Sequence, residues 1–274
     1  MPELPEVETL ARALRNSLIG RQIVRADVHW ARAVITPSSS SAFADQVPGH
    51  RIRDVRRRGK WLMFALDGSK WLLIHLRMSG RLVVEEAEVP EDPHTRVLLH
   101  LDDGQQLRFS DPRKFGRMAL VDDPEEILSG LGPDPLDPAL TPRDLWEMLR
   151  GKRARLKPLL MDQRLLAGLG NIYADEALWE AGLHPLRRSD TLSEEEAERL
   201  HRAVRRVLEA AIARQGTTLP DRRYLLPDGR PGEFASHLAV YGREGKPCPR
   251  CGAEIVRVRL GGRSAHFCPR CQPE

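Results

Sequence analysis

Residues 248–271 read CPRCGAEIVRVRLGGRSAHFCPRC, a stretch that contains all four cysteines of the 274-residue chain. The cysteines form two identical Cys-Pro-Arg-Cys tetrapeptides with sixteen residues between them. A spacing of two residues lets each cysteine pair hold one tetrahedral metal ion from a tight turn. The pattern predicts one zinc ion with four thiolate ligands, which are Cys248, Cys251, Cys268 and Cys271. Because a four-thiolate site has no open coordination position, the ion is expected to be structural.

The alternative is that these cysteines form two disulfides or remain free thiols, which an intracellular location disfavours. Between the two pairs, the β-prone residues 254–260 predict a hairpin, and Gly261-Gly262 place Arg263 at its turn. Arg257, Arg259 and Arg263 would then lie on a small rigid hairpin suited to phosphate contact. On these residues alone, Arg263 is as compatible with plain solvent exposure as with a phosphate contact.

The charge distribution of the chain also bears on its partner. The formal net charge is +4 and the pI is near 9.0, which by itself says little about partners. The charge is uneven, because residues 51–60 and residues 150–164 each contain six basic residues and one acidic residue, whereas acidic runs occupy 85–92 and 122–126. A single basic run is more often a solvated face. Two such runs in a chain with a zinc motif favour a nucleic-acid partner.

Nothing in the sequence indicates a membrane protein. No run approaches the roughly 18 consecutive apolar residues that a membrane span needs, and the N-terminus is acidic where a secretory signal would be basic and then apolar. We therefore expect a soluble intracellular protein.

Hydrophobic spacing divides the chain into a β-rich part and a helical part. Apolar residues at helical spacing predict a helix at residues 7–18 that ends before Gly20. Residues 23–121 contain short β-like segments separated by glycines, which predicts a mainly antiparallel sandwich or barrel. A proline-rich stretch at 122–142 is the predicted linker. Helical patterns follow at 145–149, 156–166, 172–181 and 193–214, the last with a capping box formed by Ser193 and Glu196.

The N-terminus, Met1-Pro2-Glu3, has the residues of a carbonyl nucleophile. Removal of Met1 is expected because the second residue is small, and it would expose a secondary amine. An α-amino group titrates near pH 8 and a lysine near about 10.4, so roughly a tenth of the amine is free base at pH 7. A secondary amine forms with an aldehydic sugar carbon a charged iminium that favours β-elimination, and Glu3 could act as general acid on the sugar ring oxygen. The alternative is an ordinary helix start with proline and acids in the first turn.

The N-terminal string MPELPEVET and the cysteine module occur together with further motifs along the chain. These are Arg58-Gly-Lys60, His75-Leu-Arg-Met-Ser-Gly80, Asp111-Pro-Arg-Lys-Phe-Gly116, Lys157-Pro, Gly168-Leu-Gly-Asn-Ile-Tyr-Ala-Asp-Glu176, Tyr241-Gly-Arg-Glu-Gly245 and Gly262-Arg-Ser264. This ordered set extends over the whole chain and resembles the formamidopyrimidine-DNA glycosylase family of bacterial repair enzymes.

The resemblance implies a bifunctional glycosylase and abasic-site lyase of base excision repair. Its substrate would be double-stranded DNA that contains oxidised purines, such as 8-oxoguanine and formamidopyrimidines, or abasic sites. Pro2 would be the Schiff-base nucleophile and Glu3 the proton donor. Lys60 would contact the lesion and backbone and assist the first elimination, and Arg263 would be linked to the second. The β/δ-elimination of the family would leave a one-nucleotide gap with phosphate at both ends.

Further matching positions imply DNA contacts. Met78, Arg113 and Phe115 match the family's three residues that fill the space of the extruded nucleotide, although on the residues alone they are ordinary loop and core positions. Asn171 follows Gly168-Leu-Gly at a predicted helix start, where it can donate to a phosphate, cap the helix, or do both. The remaining implied backbone contacts are Lys152, Lys157, His75, His94 and Tyr241. For the two histidines, plain surface or core positions are nearly as compatible with the sequence.

The fold implied by the resemblance is an α+β multidomain one. Residues 1–130 would form an N-terminal catalytic antiparallel β-sandwich with flanking helices, residues 131–235 a helical domain with a helix-two-turn-helix, and residues 236–274 a zinc-finger β-hairpin. Residues 217–234 would include a loop that caps the lesion, but Pro220–Leu226 departs from the family's sequences, so the lesion preference is left open. DNA is expected across the cleft between the two halves of a monomer, in the bacterial cytoplasm and associated with the nucleoid.

Two other functions fit the same motifs. An endonuclease VIII-type enzyme would use the same proline chemistry on oxidised pyrimidines, although Leu4 and the Arg113/Phe115 pair match the purine-specific branch. A non-catalytic zinc-finger protein would bind damaged DNA without cutting it. Covalent trapping with borohydride separates the second from the enzymes.

Overall fold

The computed structural model describes residues 2–274; the expected removal of Met1 therefore lies outside the described residues. The chain forms two compact units. The first comprises residues up to Ser129 together with Gln215–Glu233, and the second comprises Gly130–Arg214 and Phe234–Glu274. The structure thus groups Gln215–Glu233 with the β-rich part, whereas the sequence analysis groups it with the helical part.

The first unit contains three helices and nine strands within its described residues. The helices are α1 (Leu4–Leu18), α2 (Ser40–Gln46) and α3 (Glu125–Leu128). The strands are β1 (Ile23–Val28), β2 (Val34–Thr36), β3 (Ile52–Arg58), β4 (Trp61–Leu66), β5 (Trp71–His75), β6 (Arg81–Glu86), β7 (Thr95–Leu101), β8 (Gln105–Ser110) and β9 (Arg117–Val121). The predicted helix ending before Gly20 is confirmed, since α1 stops at Leu18 and Gly20 has a positive φ of 86°.

The strands form two sheets around one core. One sheet has the order β1-β7-β8-β6, and the other has the order β2-β9-β5-β4-β3. All neighbouring strands are antiparallel except β2 and β9. Buried side chains of α1, such as Leu10, join those of both sheets, such as Phe64 and Phe109, in a single cluster. The predicted β-sandwich with flanking helices is confirmed.

The second unit is helical and ends in a hairpin. Its helices are α4 (Pro142–Arg150), α5 (Leu156–Leu160), α6 (Asn171–Ala181) and α7 (Glu194–Ala213), and its strands are β10 (Val256–Leu260) and β11 (Arg263–Phe267). The predicted capping box is confirmed, because Ser193 Oγ accepts the Glu196 N–H at 3.2 Å and the Ser193 N–H donates to Glu196 at 3.0 Å.

The single helix predicted at 156–166 is wrong, because α5 ends at Leu160. Asp162 Oδ1 accepts the Arg164 N–H at 3.0 Å, and Gln163 Oε1 accepts the Gly168 N–H at 2.9 Å. Side chains that bond nearby backbone groups compete with helical hydrogen bonds. The apolar residues beyond Leu160 therefore lie in a turn that leads to α6.

Within residues 2–274, no helix combines the length and the apolar character needed to cross a membrane.

Candidate functional site

The N-terminal end of α1 holds the predicted nucleophile and acid. Pro2 is buried, and Glu3 is 2% exposed at the N-cap of the helix. The Glu3 backbone N–H donates to Glu6 Oε2 at 2.7 Å, and Glu6 Oε1 accepts the Thr217 N–H at 2.8 Å. The buried Glu6 carboxylate therefore fixes the start of α1 and the start of the 217–233 segment together. Sequence reasoning missed this role of Glu6.

The direction of α1 relative to β3 follows from two contacts. Glu8 pairs with Arg57 at 3.0 Å, whereas Arg15, near the other end of the helix, donates to the Val55 carbonyl at 2.9 Å. The N-terminal end of α1 is thus directed toward the turn between β3 and β4, which carries Lys60.

This turn has two residues, because Arg58 pairs with Trp61 across it. Gly59 occupies its first position with a φ of 56°, a conformation that glycine adopts without strain. Lys60 is buried. Pro2, Glu3 and Lys60 accordingly lie toward the same end of the first unit.

His75 ends β5 at this same end. Its ring meets Trp61 edge-on at 4.9 Å, and its Nδ1 accepts the Arg77 N–H at 3.0 Å, which leaves the proton on Nε2. Burial, followed by the positive charges of Arg77 and Lys60, lowers the pKa of His75 to about 3. The ring is therefore a neutral donor near pH 7, so a phosphate contact through it would be a hydrogen bond without an ion pair.

This lowered pKa predicts a stability change in acid. Between pH 6.5 and 3 the unfolded chain binds a proton at His75 that the folded chain does not, so the free energy of unfolding falls as the pH falls through this window. For one proton the slope is at most about 1.4 kcal/mol per pH unit. Urea unfolding at pH 7.5 and 5.0 should show a weaker pH dependence for His75→Gln than for the unmodified protein. The exposed His29→Gln is the control, and equal slopes in all three proteins would contradict the prediction.

Asp111 organises the loop that bears Arg113 and Phe115. Its fully buried carboxylate accepts the N–H groups of Phe115 and Gly116 at 2.7 Å each and that of Arg113 at 3.2 Å. It also accepts the hydroxyl of Ser79, the residue after Met78. One carboxylate thus holds both loops that carry the predicted gap-filling residues. The role of Asp111 within its motif was not predictable from the sequence alone.

The side chains held by these loops are available to a ligand. Met78 is 37% exposed and Phe115 is 44% exposed, both large apolar residues at the surface. The Arg113 guanidinium lies over the Phe115 ring at 4.8 Å from its centre. His94 is exposed nearby, and its carbonyl accepts the Asp111 N–H at 2.9 Å. The structure therefore brings four predicted contacts, Met78, His94, Arg113 and Phe115, to one loop cluster.

In the second unit, α6 begins at a glycine-rich turn. Gly168 has a φ of 111°, Gly170 is the N-cap, and Asn171 is the first helical residue. Among the described residues, no hydrogen-bond donor meets Asn171 Oδ1. A helix N-terminus is a type of site that suits a phosphate. Lys152 is exposed just beyond α4.

The four cysteines form the predicted metal site. Their Sγ atoms all lie within 4.8 Å of one another, and Cys248–Cys271 and Cys251–Cys268 are separated by 3.9 and 3.4 Å. Thiolates about 2.3 Å from a tetrahedral zinc ion are separated by similar distances, so the cluster fits the ion. Burial and the neighbouring thiols raise the pKa of Cys271 to about 12, and a bound dication would offset this crowding of sulfur charge.

The hairpin between the two cysteine pairs places Arg263 at its turn, as predicted. Gly261 and Gly262, with φ values of 55° and 78°, form the two-residue turn between β10 and β11, and Arg263 is the exposed first residue of β11. Both positions need positive φ, which explains the glycine pair.

Two adjacent buried acids on α6 hold the segment before the zinc module and strand β11 within it, and sequence reasoning missed both. Glu176 accepts the N–H groups of Ala239, Val240 and Tyr241 at 2.8 to 3.0 Å, and burial raises its pKa despite these bonds. The Tyr241 ring meets His266 at 5.0 Å. Asp175 accepts the His266 N–H at 2.9 Å.

Lys157, a predicted DNA contact, also belongs to this buried region. Its side chain is 2% exposed, and its ammonium group lies 2.7 Å from Asp175. The direct phosphate contact stays a prediction for this residue.

Comparison with known proteins places these features in a family. The model of the formamidopyrimidine-DNA glycosylase N-terminal domain matches residues 1–118, that of the H2TH domain of the same enzyme matches residues 131–222, and that of the zinc finger found in FPG and IleRS matches residues 245–273. The formamidopyrimidine-DNA glycosylase of Chloroflexus aggregans is 49% identical over 275 residues, which cover 99% of this chain and 98% of that protein. The chain belongs to the formamidopyrimidine-DNA glycosylase family.

Solved structures of the family agree in fold. The crystal structure of the MutM (FPG) protein of Thermus thermophilus has a TM-score of 0.91 at 45% identity and covers 100% of this chain and 99% of its own. A Lactococcus lactis FPG mutant in complex with Fapy-dG-containing DNA has a TM-score of 0.93 at 34% identity and covers both chains completely. The resemblance, the α+β fold with its helix-two-turn-helix and zinc hairpin, and the zinc ligand set are thereby confirmed.

Proposed function

We propose that the protein is a bifunctional DNA glycosylase and abasic-site lyase that removes oxidised purines from double-stranded DNA. The observation that carries the proposal is the arrangement at the start of α1. Pro2 and Glu3 are held there by Glu6, at the end of the helix directed toward the Lys60 turn. Family relatives in complex with DNA that contains Fapy-dG or an abasic site support the same substrate class.

Recognition requires that the damaged nucleotide leave the base stack. Extrusion leaves a gap, and apolar side chains inserted into the stack can fill it. Met78 and Phe115 supply exposed apolar groups, and Arg113 can hydrogen-bond the orphaned base opposite. The phosphate contacts of Asn171, Lys152, His75, His94 and Tyr241 would add a salt-dependent affinity.

Base excision begins with the free secondary amine of Pro2. Its nitrogen attacks C1′ and loses its proton, and the bond between C1′ and the base breaks with the electron pair going to the base, which is released protonated. Glu3 donates a proton to the ring oxygen as the C1′–O4′ bond opens. The product is an iminium between Pro2 and C1′.

Strand cleavage follows from the iminium, which acts as an electron sink. Loss of the C2′ proton expels the 3′ phosphate by β-elimination, assisted by Lys60. Loss of the C4′ proton then expels the 5′ phosphate by δ-elimination, assisted by Arg263. Water releases the sugar remnant from Pro2. A one-nucleotide gap with phosphate at both ends remains.

Zinc would be held by Cys248, Cys251, Cys268 and Cys271 and would supply structure only, since four thiolates leave no open position. Its contribution is to hold the hairpin that carries Arg263. We further propose that the protein acts as a monomer in the bacterial cytoplasm, associated with the nucleoid.

Covalent trapping tests the proposal. Borohydride should reduce the iminium and link the protein to a duplex with 8-oxoguanine opposite cytosine, and mass spectrometry should map the link to Pro2. Pro2→Gly should trap about 10-fold less, because a primary amine must be protonated to give the charged iminium. Retention of Met1 in fully active enzyme, or a link mapped to a lysine, would contradict the mechanism.

A comparison of substrates separates the purine hypothesis from the pyrimidine one. Excision of 8-oxoguanine opposite cytosine should exceed excision of thymine glycol. The reverse order would favour an endonuclease VIII-type enzyme, and the absence of any adduct would favour a non-catalytic binder.

A further inference from the structure

A buried ionic network lies beneath the hairpin strand that begins with Arg263. Lys157 Nζ lies 2.7 Å from Asp175 Oδ1, and the two side chains are 2% and 0% exposed. The same Nζ donates to the carbonyl of Ser264. Lys157 therefore holds the backbone at the residue directly after Arg263.

The second oxygen of Asp175 holds the same strand two residues further on. Asp175 Oδ2 accepts the backbone N–H of His266 at 2.9 Å and also contacts His266 Nδ1 at 3.1 Å. Asp175 and Lys157 lie on α6 and α5, whereas Ser264 and His266 lie on β11. One ion pair thus links two helices to the backbone of Ser264 and His266 on β11.

Stability alone does not account for this network. The desolvation of two buried charges offsets most of their attraction, and an apolar replacement of similar volume is often neutral or stabilising. An ion pair with directional hydrogen bonds additionally fixes the position of the groups that it contacts. Here those groups are the backbone of Ser264 and His266, so the network fixes the position of the neighbouring Arg263 relative to the two helices.

The pairing of Leu260 with Arg263 sets the register within the hairpin, so what has to be held in addition is the position of the hairpin tip against α5 and α6. A cavity of about 210 Å³ is bordered by Lys157, Leu260 and Arg263. Side chains that border such a cavity have fewer apolar neighbours to hold them. The polar contacts at Ser264 and His266 therefore hold the start of β11 against α5 and α6.

We propose that Lys157 and Asp175, through Ser264 and His266, are positioning residues that aim Arg263 at the phosphate expelled in the second elimination. The inference rests on the proposed function, since it assigns this network to one step of that reaction. Lys157 and Asp175 touch no reacting atom in this account. Their loss should act on the step that needs Arg263.

The test measures the ratio of the two cleavage products on a denaturing gel. β-Elimination alone leaves an unsaturated aldehyde on the 3′ end, whereas β/δ-elimination leaves a 3′ phosphate. With a duplex containing a preformed abasic site, Asp175→Asn should lower the ratio of δ to β product about 10-fold, because small displacements of a reacting group cost one to two orders of magnitude. The yield of the Pro2 adduct should change far less than this ratio.

Two further variants make the result decisive. Asp175→Asn leaves a buried ammonium group unpaired, so the double variant Lys157→Met/Asp175→Asn, which buries no charge at these positions, should fold and show the same lowered ratio. Glu196→Gln is the matched control, because it removes the ion pair with Arg187 in the same unit while glutamine retains the capping box. Its product ratio should equal that of the unmodified protein. Zinc content, measured by atomic absorption, should be one ion per chain in every variant.

An unchanged ratio in Asp175→Asn and in the double variant would overturn the inference, and so would an equal fall in Glu196→Gln. Failure of the unmodified protein to form an adduct or to cut the strand would instead refute the proposed function. The two failures are therefore distinguishable.

Discussion

Glu3→Gln is expected to slow the excision of 8-oxoguanine by at least about 100-fold, because general acid catalysis by a positioned side chain contributes on the order of 10²- to 10⁴-fold. The amide has the same shape as the acid but cannot donate a proton to the ring oxygen. Cleavage at a preformed abasic site should be affected much less, since the sugar of an abasic site is a hemiacetal that opens to its aldehyde without an acid from the protein. Single-turnover rates on the two duplexes measure the difference.

The control for this prediction is Glu8→Gln on the same helix, which removes ion pairs with Arg12 and Arg57. Both single-turnover rates of Glu8→Gln should stay within about 2-fold of those of the unmodified protein, because partly exposed ion pairs contribute little to the free energy of unfolding. An equal loss of both activities in Glu3→Gln would mean that Glu3 acts only as the N-cap of α1, and the proposed acid role would be wrong.

Removal of zinc should have a second large effect, on DNA affinity and on δ-elimination. Structural zinc sites supply folding free energy directly, and an isolated two-stranded hairpin such as β10–β11 is at best marginally stable by itself. Zinc-free protein is therefore expected to bind DNA with an affinity lower by on the order of 100-fold. It should also lose its δ-elimination activity. Fluorescence anisotropy with a labelled abasic duplex, before and after chelation, measures the first quantity, and the product ratio measures the second.

Restoration by added zinc is the control for chelation, and Cys268→Ala should behave like the chelated protein while resisting rescue. Because the pKa of Cys271 is raised, zinc binding displaces a proton there, so the chelated state should be reached more easily as the pH falls. Undiminished DNA binding by zinc-free protein would contradict a structural role for the ion.

Features encoded by neighbouring residues were predictable from the sequence. The zinc ligands follow from two-residue spacing, the start of α7 follows from Ser193 and Glu196, and the turn before Arg263 follows from two adjacent glycines. Each depends on local geometry, which spacing alone describes.

Features that depend on distant partners were not predictable in this way. Asp175 contacts His266 across 91 positions, and nothing in the helical pattern of α6 distinguishes a buried acid from an exposed one. Asp111 was quoted within a motif, but its role as the acceptor for two loops becomes visible only when Ser79 is brought beside it. The end of α5 was mispredicted because the backbone bonds of Asp162 and Gln163 outweigh an apolar pattern.

The bond between Glu6 and the Thr217 N–H joins residues 211 positions apart in the chain. During synthesis, this hydrogen bond cannot form until Thr217 has left the ribosome. The contacts of Glu6 at the start of α1 are therefore complete only after at least about four fifths of the polypeptide has been made. For most of translation, a nascent chain would lack one of the bonds that fix the surroundings of Glu3.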